Sequence, residues 1–229
     1  MLPAFLLAAL SACSAPEPPG PDDLTVAQLI AGVRVEPLRQ AVAVRPGVPA
    51  RSGLAGGRFI LDAPAPAAPV TAVARSIMRS NRRIGPTDAL ELSAHAISVA
   101  RREGLPYGFF CATLLQESAF DPGAISSAGA VGIAQFTLGT AALEGVDPFD
   151  WHSAMAGSGR LLARYVGGYE PLYADPYAAA LAAYNAGPGA VARYRGVPPY
   201  PETRDYIADI YDRWSRIERD ASGVPARSP

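Results

Sequence analysis

Apolar positions recur at helical spacing along residues 87–215, and no stretch there alternates with period two between hairpin turns. Asp88, with Glu91 three residues on and Pro86 just ahead, reads as a helix start. Leu90, Ala94 and Ile97 then line one face until Gly104 stops the helix. Pro106 opens a second helix through Phe109, Phe110, Leu114 and Leu115, for which Asp121-Pro122 is the expected stop. Further helices are predicted over about 137–143, 153–166, 176–186 and 202–219. The pattern predicts a small all-α domain. Ahead of it, 73–84 reads as a short helix carrying Arg75, Arg79, Arg82 and Arg83 without an acid. A solvated face is the plainer reading of that charge, and contact with an anionic lipid or polymer the sharper one.

Residues 14–70 break the pattern. Ten of the 23 Pro lie there, many interleaved with Ala, and such composition resists both helix and central strand. We read a tether, with room for a short strand at 34–44 or 58–62. The first 13 residues are different again. The run 5–10 is apolar but too short to span a bilayer as a helix. Leu10-Ser11-Ala12-Cys13 resembles the bacterial lipobox, in which the Cys is lipidated and becomes the new N-terminus. Acyl chains on Cys13 would hold a soluble domain on a membrane without a spanning segment. Met1-Leu2-Pro3 supplies no Arg or Lys for the usual positive n-region, so a chance apolar stretch with an incidental Cys is the alternative. Ser14 after the Cys resembles the signal for outer-membrane retention.

Charge excludes one class of function. The 229 residues carry 20 basic side chains, all Arg, against 21 acidic ones, so a basic surface for non-specific nucleic-acid binding is absent. The near-balance conceals a partition. Residues 14–70 hold five Arg and five acids, 71–86 four Arg and no acid, and 87–215 eight Arg against 14 acids. Two Cys make no disulfide framework, and two Cys with two His at unrelated spacings make no metal site. No Gly-rich phosphate loop follows a strand, and no cofactor is implied. Cys111, between Phe110 and Ala112, reads as a buried thiol rather than a nucleophile served by His95 or His152. Tyr165, Tyr169, Tyr173 and Tyr177 recur every four residues, but Gly167-Gly168, Pro171 and Pro176 are expected to break that helix, which leaves packing. Trp151 reads as core or rim before it reads as a sugar platform.

The densest chemistry begins at Glu117. On helical spacing it shares a face with Phe110, Thr113 and Leu114. A carboxyl on an apolar face is desolvated, which raises its pKa toward what a general acid near neutral pH requires. A helix-end Glu capping an N–H or pairing with an Arg is the plainer alternative. Next come Ser118, Phe120, Pro122 and Ser126, then Gly129-Ala130-Val131-Gly132-Ile133-Ala134-Gln135. The glycines permit close backbone approach, and Gln135 offers an amide suited to sugar hydroxyls or acetamido groups. About 50 residues on stands Ala183-Tyr184-Asn185-Ala186-Gly187-Pro188-Gly189, and Glu202-Thr203-Arg204-Asp205-Tyr206 opens the last long helix.

These four blocks, in this order and spacing over about residues 105–211, resemble the catalytic domain of soluble-type lytic transglycosylases, which share a lysozyme-like fold with goose-type lysozymes. Together with the composition along the chain, this gives a boundary plan: a lipoprotein-type signal at 1–13, a tether at 14–70, a short basic helix or linker at 71–86, the catalytic domain at 87–219 and a tail at 220–229. The resemblance concerns the catalytic domain. It implies that Glu117 is the single acid/base for cleaving peptidoglycan glycan strands between N-acetylmuramic acid and N-acetylglucosamine. The muramyl 6-hydroxyl would close a 1,6-anhydro ring. Ser118 and Gln135 match positions that contact sugar near the cleaved bond, and Tyr184 and Asn185 match positions lining the cleft. Tyr206 matches a Tyr that orients the Glu. The expected partners are therefore glycan strands, and the membrane through a lipidated Cys13 in the cell envelope. Ile133-Ala134-Gln135 departs from the family's frequent Leu-Met-Gln, and Thr137-Leu138-Gly139-Thr140 lacks the Pro that often follows the Gln. The missing Met bears on subsite affinity rather than on the chemistry. Residues alone leave open a hydrolytic muramidase, with Asp121, Glu144, Asp147 or Asp150 as second carboxylate, and a binding scaffold with a degenerate site.

Overall fold

The computed structural model describes residues 67–223, and the expectations for Cys13, for the tether up to residue 66 and for strands at 34–44 or 58–62 lie outside them. Among the described residues there are eight helices and no strand. They are α1 (Ala67–Ser80), α2 (Pro86–Arg102), α3 (Tyr107–Ser118), α4 (Leu138–Glu144), α5 (Trp151–Tyr169), α6 (Pro176–Ala186), α7 (Pro188–Tyr194) and α8 (Pro201–Ser222).

The arrangement follows from α3. Its sequence is apolar on every side, and such a helix is stable only when covered all round. Phe109, Phe110, Cys111, Ala112 and Leu114 are fully buried, under a cover of α1, α2 and α8. Gly108 lets α8 come close: a Cβ there would stand 2.5 Å from Cδ1 of Trp214. The long α8 buries Thr203, Tyr206, Ile210 and Ile217, spaced three, four and seven apart, and leaves its charged face to solvent. Glycine does the same for α5, where a Cβ on Gly159 would stand 2.6 Å from Cγ1 of Val99 on α2. A second small cluster joins the end of α5 to α6 and α7 through Tyr169, Ala179, Ala180, Ala182, Ala183 and Val191.

Prolines at the first or second helical position open α2, α6, α7 and α8, where their missing N–H costs nothing. The short helix α7 was not expected. Gly187-Pro188-Gly189 reads as a turn, but Gly187 at φ 86° is the N-cap and Pro188 begins the helix. Other expectations change in detail. The core face of α2 is Ala89, Leu92, Ser93, Ala96, Ile97, Val99 and Ala100, one step round from the expected stripe, and Leu90 is 45% exposed. Helix α5 runs through Gly167-Gly168 to Tyr169. The tyrosines still serve packing, with Tyr165 and Tyr169 stacked and Tyr169 against Tyr173, while Tyr177 turns to Phe109 and Trp214.

Helix α1 begins at Ala67, earlier than expected, and is part of the core, with Val73 and Ile77 fully buried against α2 and α8. Two of its basic neighbours are paired: Arg79 with Asp220, and Arg83 with Asp121. Cys111 is fully buried, and burial pushes its thiol far above the usual range, as an inert thiol requires. Trp151 packs at the edge of the core, stacked on His152 and edge-on to His95. No helix among the described residues is long and apolar enough to cross a membrane.

Candidate active site

Helix α3 ends at Ser118, three residues before the expected stop, with Glu117 in its last turn. Ala119 and Phe120 follow at φ 53° and 61°, two consecutive left-handed residues that are not glycine. Each such residue costs about 1 kcal/mol or more. Phe120, fully buried, offsets this with about 1.5–3 kcal/mol of apolar burial. The sharp turn leaves Glu117 at the mouth of the loop instead of inside a continuing helix.

The Glu117 carboxyl accepts a hydrogen bond through Oε1 from the Tyr206 hydroxyl of α8. Burial raises its pKa from the usual 4.5 to about 7, opposed by the Tyr206 bond, which favours the ionised form. Tyr206 is itself buried, and burial followed by the nearby Glu117 charge pushes its pKa well up. The proton between them therefore stays on the phenol, and a charged Glu117 is stabilised without being neutralised. Tyr184 also feels the Glu117 charge, after burial, as an upward push on its hydroxyl.

The loop from Asp121 to Thr137 folds back on itself through antiparallel bridges of Val131 with Ile125 and Phe136. Of its three glycines, Gly132 alone serves close approach, and that to the chain itself. Gly132 sits at φ 75°, and a Cβ there would stand 2.2 Å from the Pro148 carbonyl oxygen. Gly129 closes a turn by donating to Ser126 O at 3.0 Å, while Ser126 Oγ accepts from Ala130 N at 2.9 Å. Ser118 Oγ donates to Ile133 O at 2.8 Å and accepts from Asp121 N at 3.0 Å, tying the end of α3 to this loop. Gln135, at φ 50°, donates through Nε2 to Gly132 O at 2.8 Å and Ala124 O at 3.3 Å, leaving Oε1 as an acceptor.

The two later blocks brace the same place. The Tyr184 hydroxyl donates to Ala134 O at 2.8 Å and lies 3.2 Å from Ser158 Oγ, which holds the backbone beside Gln135. Asn185, exposed at the end of α6, accepts through Oδ1 from Thr203 Oγ1 at 2.8 Å. Glu117, Ser118, Gln135, Tyr184, Asn185 and Tyr206 are thus joined by α3, the loop, α6 and α8. Ser118 and Tyr184 spend their hydroxyls on the loop, whereas Gln135 and Asn185 keep free amide atoms. Residue patterning assigned no role to Thr203 or Ser158. Ser158 had one local signal, its place between Gly157 and Gly159 in mid-helix, where only close packing justifies glycine.

The four other candidate carboxylates are occupied elsewhere. Asp121 accepts from Gly123 N at 2.9 Å and pairs with Arg83 at 2.5 Å. Glu144 pairs with Arg164. Asp147 accepts from Phe149 N at 2.9 Å, and Asp150 caps α5 through His152 N at 3.1 Å. Among the described residues no group of three or more His, Cys, Asp or Glu is disposed to hold a metal ion.

A half-buried, desolvated carboxyl with a pKa near neutrality, a phenol aimed at it and a self-braced loop beside it occur on a helical frame whose four motif blocks meet at one point. Residues 95–207 match the family model of the transglycosylase SLT domain, which spans all six of these residues. The chain therefore carries, over residues 95–207, a lysozyme-like lytic transglycosylase domain, whose substrate is peptidoglycan.

Proposed function

We propose that Glu117 is the single acid/base of glycan-strand cleavage. Protonated near neutral pH, it donates to the oxygen of the β-1,4 bond between N-acetylmuramic acid and N-acetylglucosamine. The C1–O bond breaks and the muramyl C1 becomes electron-poor. The carboxylate then accepts the proton of the muramyl 6-hydroxyl as that oxygen attacks C1, closing the 1,6-anhydro ring. No water is consumed and Glu117 ends protonated, ready for another turnover. Tyr206 holds the carboxyl in place and steadies its charged form between the two proton transfers. Gln135 and Asn185 offer amide atoms to the sugars, while Ser118 and Tyr184 keep the loop in position.

One observation carries this reading. Among the described residues the hydrogen-bond partner of the Glu117 carboxyl is a phenol, the Tyr206 hydroxyl at Oε1, and not a second carboxyl. Hydrolysis by a carboxylate pair requires a partner about 5–9.5 Å away, and Asp121, Glu144, Asp147 and Asp150 are each engaged in a cap, turn or ion pair. The test is turnover of purified sacculi by Glu117→Gln. Loss of about 10²–10⁴-fold is expected for a general acid/base, and unchanged turnover would return the scaffold reading.

The lipobox-like Cys13 supports placement in the cell envelope, on a lipid anchor in the outer membrane where there is one. Labelling with a radioactive fatty acid should disappear in Cys13→Ser, and persistent labelling would remove the anchor.

A further inference from the structure

The domain carries a net negative charge, yet its arginines are unevenly spread. Of the eight Arg in residues 87–215, three fall at positions 193, 195 and 204, with Glu202 the one acid among residues 193–204. All three are exposed, and among the described residues none is in an ion pair. Between them stand two of the molecule's exposed large apolar side chains, Tyr194 and Tyr200, at 40% and 38%. Their rings meet edge to face at 5.6 Å, and the Arg193 guanidinium lies 5.8 Å from the Tyr194 ring centre.

This patch grows directly out of the site. Helix α7, which ends in Arg193 and Tyr194, starts three residues after Asn185. Tyr200 is the N-cap of α8, and Arg204 N donates to its carbonyl at 3.0 Å. Thr203 and Tyr206 follow on the same two turns, so Tyr206 is about 9 Å along the helix axis from Tyr200 at 1.5 Å per residue. A guanidinium resting on an aromatic ring is partly preorganised and presents its donors outward, in the fork that matches a carboxylate. The stem peptide attached to each muramyl residue is the anionic part of the strand within reach of a rim this close to Glu117.

We propose that Arg193, Arg204, Tyr194 and Tyr200 form a rim that takes the stem-peptide carboxylate of the bound strand, so that peptide-bearing strands are preferred over bare glycan. The proposal rests on the peptidoglycan reading of the Glu117 site. It also locates the attraction that an acidic domain otherwise lacks for a polymer bearing its own carboxylates.

The test is co-sedimentation of the full-length Glu117→Gln protein with two kinds of sacculi, free of phosphate-bearing polymers. One keeps its stem peptides and the other has lost them to an amidase. The expected result is about threefold to tenfold tighter binding to the peptide-bearing sacculi, fading as salt rises, as one or two exposed charge-assisted contacts would give. Adding Arg193→Gln and Arg204→Gln should bring the two affinities together. Equal affinities before those substitutions overturn the proposal. So does an equal loss on both sacculi after them, which would make the rim a sugar platform. Because the readout is binding, an error in the Glu117 assignment would surface separately, as continued cleavage by Glu117→Gln.

Discussion

The Tyr206 hydroxyl reaches across 89 residues of chain to donate its hydrogen bond to Oε1 of Glu117. Burial raises the carboxyl, and this bond is the restraint that keeps it near 7. A group that must donate a proton loses activity as pH rises through its pKa, so kcat/KM should fall on the alkaline side of about 7. Tyr206→Phe removes a donor that favoured the ionised form. Its falling limb should therefore move to higher pH, while the rate at the optimum drops by about tenfold, the worth of one hydrogen bond to a charged group. A pH–rate profile of both proteins decides this, and a limb moving to lower pH contradicts it.

The same burial has a cost in stability. The folded carboxyl holds its proton more tightly than an ordinary glutamate, with 4.5 raised to about 7. The folded state thus binds more protons between these values, and stability falls as pH rises through them. The full effect is about 3 kcal/mol at 1.36 kcal/mol per pH unit. Glu117→Gln removes the charge and keeps an acceptor for Tyr206. Its melting temperature should exceed that of the native chain by roughly 5–10 °C at pH 8 and match it near pH 4.5. A gap that does not change with pH would contradict the burial of this carboxyl.

Gly132→Ala should harm both fold and turnover. The position is left-handed at φ 75°, and the new methyl would collide with the Pro148 carbonyl, a backbone atom that cannot swing aside. A loss of about 2–4 kcal/mol is expected from urea unfolding. The damage should extend to Gln135, which bonds back to Gly132 O. An Ala variant of native stability would mean that the loop is looser than its bonds indicate.

Tyr184→Phe separates bracing from proton chemistry. Ala134 O and Ser158 Oγ would lose their partner, at about 1–3 kcal/mol of stability. KM should rise as the backbone beside Gln135 loosens. The falling limb of the pH profile should stay in place, since Tyr184 makes no hydrogen bond to Glu117. A shift like that expected for Tyr206→Phe would give Tyr184 a part in the proton chemistry.

What was legible in the sequence tracks how local the cause is. Pro86, Pro176 and Pro201 mark helix starts because each removes its own N–H, and the apolar run 109–115 marks a buried helix whatever surrounds it. Pro188 obeys the same rule and was obscured by its flanking glycines. Leu90 was misread because small residues, Ala89 and Ala96, let α2 sit closer on a neighbouring stripe. The left-handed turn at Ala119 and Phe120 has no local signal. It exists because Phe120 finds a place in a core assembled from distant helices. The site divides likewise. Desolvation of Glu117 followed from its own helix face, whereas its meeting with Tyr206 depends on how α8 lies against α3. Resemblance of motif blocks supplied that pairing, and residue patterning did not. The Thr203–Asn185 and Tyr184–Ala134 bonds are of the same long-range kind.

In the proposed reaction one carboxyl closes a ring instead of activating water, and the products record which occurs. Sacculi digested in water enriched in heavy oxygen, then analysed by mass spectrometry, should yield muramyl ends lighter than the hydrolytic product by one water and free of the heavy isotope. Reducing muramyl ends carrying heavy oxygen would contradict the ring closure and make the domain a hydrolase.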